Sequence, residues 1–160
     1  MLEVLARNEV RCVVIGAWAA ALWGVEIVTR DIDITPASDK ANLQRLARAL
    51  DELHAAIRVR AGEQPVPLPA DPRLLARAQI LNLTTDAGEL DITVRPDGTD
   101  GYEDLRRSAS RHPLGGDLHI AIASLEDVIR SKTAAGRAKD LAALPQLRAA
   151  LARRRDTSQS

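Results

Sequence analysis

The sequence predicts one mixed α/β domain, a minimal arrangement in which a small mixed sheet is flanked by helices and further helices follow at the carboxy terminus. Three observations lead there. Runs of β-branched residues of strand length alternate with helical patterns as far as residue 123. Only helical patterns follow. A chain of 160 residues also suits a single hydrophobic core, with little room for a second. Residues 1–155 are read as the domain and 156–160 as a disordered tail.

Each element has its own signal. Leu2 to Asn8 reads as a short helix, and Val10 to Ile15 as an apolar strand ended by Gly16. Alanine-rich Ala17 to Trp23 predicts a helix stopped by Gly24, and Val25 to Ile34 a second strand closed by Pro36. From Ser38, a plausible N-cap, to about Ile57, the residues Leu43, Leu46, Leu50, Leu53 and Ile57 form one apolar helical stripe. The prolines from Pro65 to Pro69 mark a loop, and Asp71-Pro72 a helix start. Ile80 to Thr85 and Glu89 to Val94, joined by Asp86-Ala87-Gly88, form a hairpin pattern. Gly101 to Ser110 reads as a helix and Leu118 to Ala123 as the last strand. Ser124, three residues before Asp127, opens a capped helix. Gly136 interrupts it before a final helix from Lys139 to about Arg153.

Composition narrows the class. With 46% hydrophobic and 28% charged residues the chain is ordinary globular, neither disordered nor fibrous. No run approaches the roughly 18 apolar residues of a membrane helix, and the start MLEVLARNEV lacks a secretory pattern. The only cysteine, Cys12, excludes a disulfide framework and a cysteine zinc site. A cytoplasmic location is the expectation. The net charge is zero, yet Arg130 to Arg155 holds eight basic residues and one acid, Asp140. A basic end beside an acidic body suits a protein that holds a polyanion near metal-binding carboxylates.

The chemistry concentrates in Ile15-Gly16-Ala17 and in Thr29-Arg30-Asp31-Ile32-Asp33-Ile34. On a strand, Asp31 and Asp33 share a face about 6–7 Å apart at the backbone. Such a pair repels unless a cation lies between or both are solvated, and hard oxygen donors favour Mg²⁺ or Mn²⁺. Gly16 follows a strand and precedes a helix, where free backbone N–H groups can cradle a phosphate. Asp91 falls on the polar face of the hairpin strand, opposite Leu90 and Ile92. Read alone, each of these is as easily a turn glycine or a solvated acid; their coincidence points to three carboxylates around metal and nucleotide.

This pattern resembles the nucleotidyltransferase superfamily, in which a strand ends in Gly-Gly or Gly-Ser, then Asp-x-Asp, then a distal aspartate. More narrowly it resembles the AbiEii-type and MenT-like toxin–antitoxin nucleotidyltransferases. Ser124-Leu125-Glu126-Asp127-Val128-Ile129-Arg130-Ser131-Lys132 and Ala135-Gly136-Arg137-Ala138-Lys139-Asp140-Leu141 are similar to their carboxy-terminal lysine and Lys-Asp motifs. The likeness runs from about Val10 to Leu147. It implies that Asp31 and Asp33 bind metal, and that Asp91 binds metal or acts as general base. It further implies that Gly16 and Ala17 contact the triphosphate, that Lys132 neutralises phosphate, and that Asp140 positions that lysine or a nearby basic group. The chain departs from the pattern at Ala17, where glycine or serine is usual, and at Ile27, where an arginine is often found; Arg30 is the substitute.

The implied activity is transfer of a nucleoside monophosphate from an NTP to a hydroxyl acceptor, with tRNA or other RNA as acceptor and a cognate antitoxin as partner. The alternative is a noncatalytic nucleotide- or protein-binding module. Other residues carry less. His54 is assigned to the long helix beside Leu50 and Leu53, and His112 and His119 lack metal-ligand spacing. Ser108, Ser110 and Ser131 have no base at a recognisable spacing. Trp18, Trp23 and Tyr102 read as packing residues, and no motif for sequence-specific DNA reading occurs.

Overall fold

The structure, a computed structural model, describes residues 1–60 and 63–157. In chain order the elements are α1 (Leu2–Arg7), β1 (Cys12–Ile15), α2 (Gly16–Leu22), β2 (Asp31–Pro36), α3 (Lys40–Glu52), β3 (Ala56–Ile57), β4 (Val66–Pro67) and α4 (Pro72–Arg77). Then come β5 (Ile80–Thr85), β6 (Gly88–Thr93), α5 (Tyr102–Leu105), β7 (Ser110–Gly115), β8 (Leu118–Ile122), α6 (Leu125–Ala135) and α7 (Ala138–Thr157). The strands form one mixed sheet in the order β4-β3-β5-β6-β2-β1-β8-β7. The β1–β8 and β2–β6 pairs are parallel and the others antiparallel. Among the described residues no helix is long and apolar enough to cross a membrane.

The core is aliphatic. Val13, Val14, Ile34, Leu83 and Leu90 from the central strands are fully buried against Leu5, Leu46, Leu50 and Leu147 from the helices. Each such side chain contributes about 1.5–3 kcal/mol of burial. Two buried polar groups register the centre of the sheet. The Asn42 side chain accepts from Arg11 N at 2.7 Å and donates to the carbonyls of Arg11 (2.9 Å) and Ala37 (2.8 Å), tying α3 to the start of β1 and the end of β2. Thr35 Oγ1 donates to Thr93 O at 2.9 Å, locking β2 to β6.

Several local expectations are corrected. The second strand begins at Asp31, and 25–30 are irregular. Both neighbours run out there: β1 ends at Ile15, opposite Asp33, and β6 begins at Gly88, one residue before the partner of Asp31, so among the described residues 25–29 have no ladder to join, and the β-branched Val28 is 97% exposed. The long helix starts at Lys40, capped by Asp39 rather than Ser38, and stops at Glu52. His54, in the left-handed region at φ 48°, ends it: its N–H donates to Asp51 O and that of Ala55 to Leu50 O, a Schellman closure without glycine. His54 is therefore off the helix, exposed, and paired with Asp86 at 2.6 Å. Ile57, the last residue of the apolar stripe, belongs to β3. In the proline loop, Val66 and Pro67 pair with β3 as an edge strand, where a missing N–H costs no ladder bond. The helix expected from Gly101 is only α5, and Ser110–Gly115 forms the edge strand β7 against β8. The pattern hid β7 because Pro113 interrupts it. Finally, α7 continues through Thr157, so Asp156 and Thr157 are helical; 158–160 lie outside the described residues.

Candidate active site

The site is a row across the sheet. Ile15 on β1 lies opposite Asp33 on β2, Asp33 opposite Asp91 on β6, and Asp91 opposite Asn82 on β5. Asp31 lies two residues before Asp33 on the same face, opposite Glu89. Because β2 and β6 run parallel and in register, alternation alone brings the three aspartates to one side. One carboxylate oxygen from each of Asp31, Asp33 and Asp91 lies within 4.8 Å of the others.

Gly16 makes room for them. At φ +67° it adopts a backbone that L side chains rarely adopt, and an added Cβ would sit 2.9 Å from Asp33 Cγ and closer still to Oδ2. The glycine is required here by a carboxylate packed against the bend. Ala17 follows at the start of α2 and lines the same cleft.

That cleft has a volume of about 850 Å³. Besides the three aspartates it is bordered by Arg30, Asn82, Lys132, Arg137, Lys139 and Asp140, so both carboxy-terminal helices close over the sheet row. A second pocket, about 260 Å³ between α3, α4 and the β5–β6 hairpin, has no charged lining residue and no such chemistry.

The three carboxylates differ in electrostatics. Burial, and then the charges of Asp31 and Asp91, push the Asp33 pKa up to about 7, against the opposing pull of Lys132 and Lys139. Asp31 is held below the ordinary range, chiefly by a hydrogen bond from Thr29 Oγ1 at 2.6 Å. Asp91 Oδ1 accepts from Arg58 Nη2, and Arg58 Nη1 donates to Glu89 Oε2 at 3.0 Å. One acid is crowded, one is hydrogen-bonded to a hydroxyl, and one is paired with a cation.

A divalent ion fits this donor set. The ligand atoms are all hard oxygens, and Mg²⁺ takes them at about 2.0–2.1 Å. Such an ion spaces its oxygens roughly 3–4 Å apart, so a cluster within 4.8 Å closes with little movement. It would also offset the burial and the neighbouring like charges that drive Asp33 towards protonation.

Lys132 and Asp140 meet as their spacing around Gly136 allows. Lys132 Nζ donates to Asp140 Oδ1 at 2.7 Å, and Arg137 Nε to Oδ2 at 2.5 Å. Asp140 is 1% exposed and Lys132 16%. Burial tends to raise the Asp140 pKa, but the two cationic donors outweigh it and hold it low. Arg30 is exposed at the cleft mouth.

Sequence reasoning missed Arg58, Thr29 and Lys139 as individual site residues. Thr29 and Lys139 lie inside the motifs that carry the resemblance. Arg58 had no signal, because its stretch reads as the end of a helix. The histidines and Ser110 stay outside the cleft, Ser131 lines it, and Trp23 donates its ring N–H to Ala123 O at 2.7 Å.

Known structures share this architecture. TM1012 from Thermotoga maritima, provisionally named a nucleotidyltransferase, is 22% identical over 91% of this chain and 86% of its own, with a TM-score of 0.55. The lincosamide antibiotic adenylyltransferase LnuA, in its lincomycin-bound structure, is 18% identical over 92% of this chain and 91% of its own, with a TM-score of 0.57. This chain has the nucleotidyltransferase fold. No family model matches the sequence, and no curated protein is similar to it by sequence comparison. Within the nucleotidyltransferase fold, the mixed sheet and the closing carboxy-terminal helices agree with the architecture expected from the motifs.

Proposed function

We propose that the protein is a metal-dependent nucleotidyltransferase that moves a nucleoside monophosphate from an NTP to a hydroxyl acceptor and releases pyrophosphate. One observation carries the reading. Oxygens of Asp31, Asp33 and Asp91 converge within 4.8 Å in a large cleft that lysines and arginines also line. The nucleotidyltransferase fold supports it as context.

In this reading Asp31, Asp33 and Asp91 hold Mg²⁺ or Mn²⁺, which supplies Lewis-acid polarisation of the α-phosphate when bound. Gly16 and Ala17 line the wall nearest the triphosphate. Lys139 and Lys132, the latter held in place by Asp140, stabilise charge on the phosphates, with Arg30 at the mouth. The acceptor oxygen attacks the α-phosphorus, the bond to the β-phosphate oxygen breaks, and pyrophosphate carries away the electron pair. Asp91 takes the acceptor proton.

Two acceptor classes follow from different supports. The toxin-like motifs and the basic segment from Arg130 to Arg155 favour an RNA end, particularly tRNA, with a cognate antitoxin as partner. The likeness to LnuA, with Val28 97% and Ile80 63% exposed at the cleft, favours a small hydroxylated molecule with apolar surface. A noncatalytic nucleotide-binding module is the rival reading, favoured by Ala17. Incubation with each labelled NTP, Mg²⁺, and either total RNA or a panel of hydroxylated small molecules separates them. Label transfer and pyrophosphate release, both lost in Asp31→Asn, are the expected result. Nucleotide binding without transfer to any acceptor would leave the module.

A further inference from the structure

Arg58 sits at the far end of the sheet row. It follows β3 directly, and its backbone N–H donates to Asn82 O at 2.8 Å, extending the β3–β5 ladder by one residue. The row across four strands therefore reads Arg58, Asn82, Asp91, Asp33. From there the guanidinium crosses β5 and takes Asp91 with one arm and Glu89 with the other. Among the described residues it is the one cation that hydrogen-bonds directly to any of the three clustered aspartates.

Two features separate this from an ordinary surface ion pair. The side chains are largely covered, 28% exposed for Arg58 and 16% for Asp91. The Nε–H is buried with no hydrogen-bond partner among the described residues. Leaving a buried donor unmet is costly, so the two carboxylates, not the best use of every donor, decide where the guanidinium lies. A planar fork can span two acids two residues apart on a strand; a lysine offers a point charge.

We infer that Arg58 is a positioning residue for the metal site, holding Asp91 by one oxygen so that the carboxylate stays beside Asp31 and Asp33 and remains free to bind the cation with the rest. This rests on the metal-dependent reading above. Without the fork, Asp91 would swing away from two like charges, and the ion would lose a preorganised ligand. Groups that orient metal ligands in this way are typically worth 10–100-fold in metal affinity.

The test is Mn²⁺ affinity of the whole chain, read from the electron paramagnetic resonance signal of free Mn²⁺, with melting temperature measured alongside. Arg58→Gln should weaken Mn²⁺ binding about 10-fold or more, and Arg58→Lys less, since it keeps the charge but loses the fork. Arg58→Lys decides alone should Arg58→Gln not fold. Unchanged or tighter Mn²⁺ binding in the folded variants overturns the inference, including the case where only the melting temperature falls. Wild-type chain that binds no Mn²⁺, or binds it equally well as Asp31→Asn, overturns the metal-dependent reading itself. Failure of that reading is thus distinguishable from failure of this inference.

Discussion

The sheet row and the junction between α6 and α7 are both built from charged side chains at the cleft, yet their charges are arranged in opposite ways. At the junction Asp140 is met by Lys132 and Arg137, and both carboxylate oxygens are used. In the row three aspartates approach one another, with Arg58 the only direct cationic partner among the described residues. The first cluster is satisfied by the chain alone and fastens one helix to the next. The second leaves negative charge unanswered in a part-buried place. Protein interiors tolerate such an arrangement where a ligand supplies the missing charge, and the proposed metal site rests on that imbalance.

The most forceful way to break the comparison is to neutralise the row. Asp33→Asn should lower Mg²⁺-dependent transfer by on the order of 10³-fold, the scale of losing several kcal/mol of metal assistance. The same change should raise the melting temperature of metal-free protein at pH 8, since it removes repulsion. A variant that loses activity and stability together would mean that the row is structural. Gly16→Ala should come next, at roughly 10²-fold in turnover, because a displacement of about 1 Å at a reacting group costs that much. Its Cβ would displace the Asp33 carboxylate.

The junction should respond the other way. Asp140→Ala leaves Lys132 covered and unpaired, and should cost about 1–3 kcal/mol by denaturant unfolding. That is less than a deeply buried pair, because Arg137 lies over it 65% exposed to solvent. Activity per folded molecule should fall far less than in Asp33→Asn. An equal loss would mean that Asp140 does more for the phosphates than hold Lys132 in place.

Titration sharpens the contrast further. With its folded pKa raised to about 7 from an ordinary 3.8, Asp33 keeps a proton in the native state that the unfolded chain has released. Its contribution is therefore fully present below about pH 4, falls progressively as the pH rises from there, and is gone above about pH 7. Metal-free wild type should melt higher at pH 6 than at pH 8, by a margin that shrinks in Asp33→Asn. Asp140 is shifted the opposite way, so its contribution holds above the ordinary carboxylate range and fails only in acid. The smallest effect expected is that of Ala17→Ser: a change in transfer of less than about tenfold, which would show the hydroxyl to be an accessory to the backbone N–H groups.

Much of the site is legible in the chain itself. The alternation that puts Asp31 and Asp33 on one face and Asp91 on the polar face of its hairpin is a local property, as is the Ser124 cap, whose hydroxyl accepts from Asp127 N at 3.1 Å. The mismatches fall where local pattern and tertiary pairing disagree. Val25 to Arg30 has strand-forming residues but, among the described residues, no neighbouring strand. Ile57 continues a helical stripe but is captured by β5. His54 terminates a helix in a conformation usually left to glycine.

By itself the sequence determined which residues could do chemistry and which face of its own element each would occupy, because side-chain periodicity follows from backbone geometry alone. Only the tertiary structure decided that β2 and β6 lie side by side in parallel register, so that acids 58 residues apart share one small volume. It alone decided that Arg58 reaches Asp91 across a strand. Strand order and register are set by long-range packing, and no short stretch of chain records them.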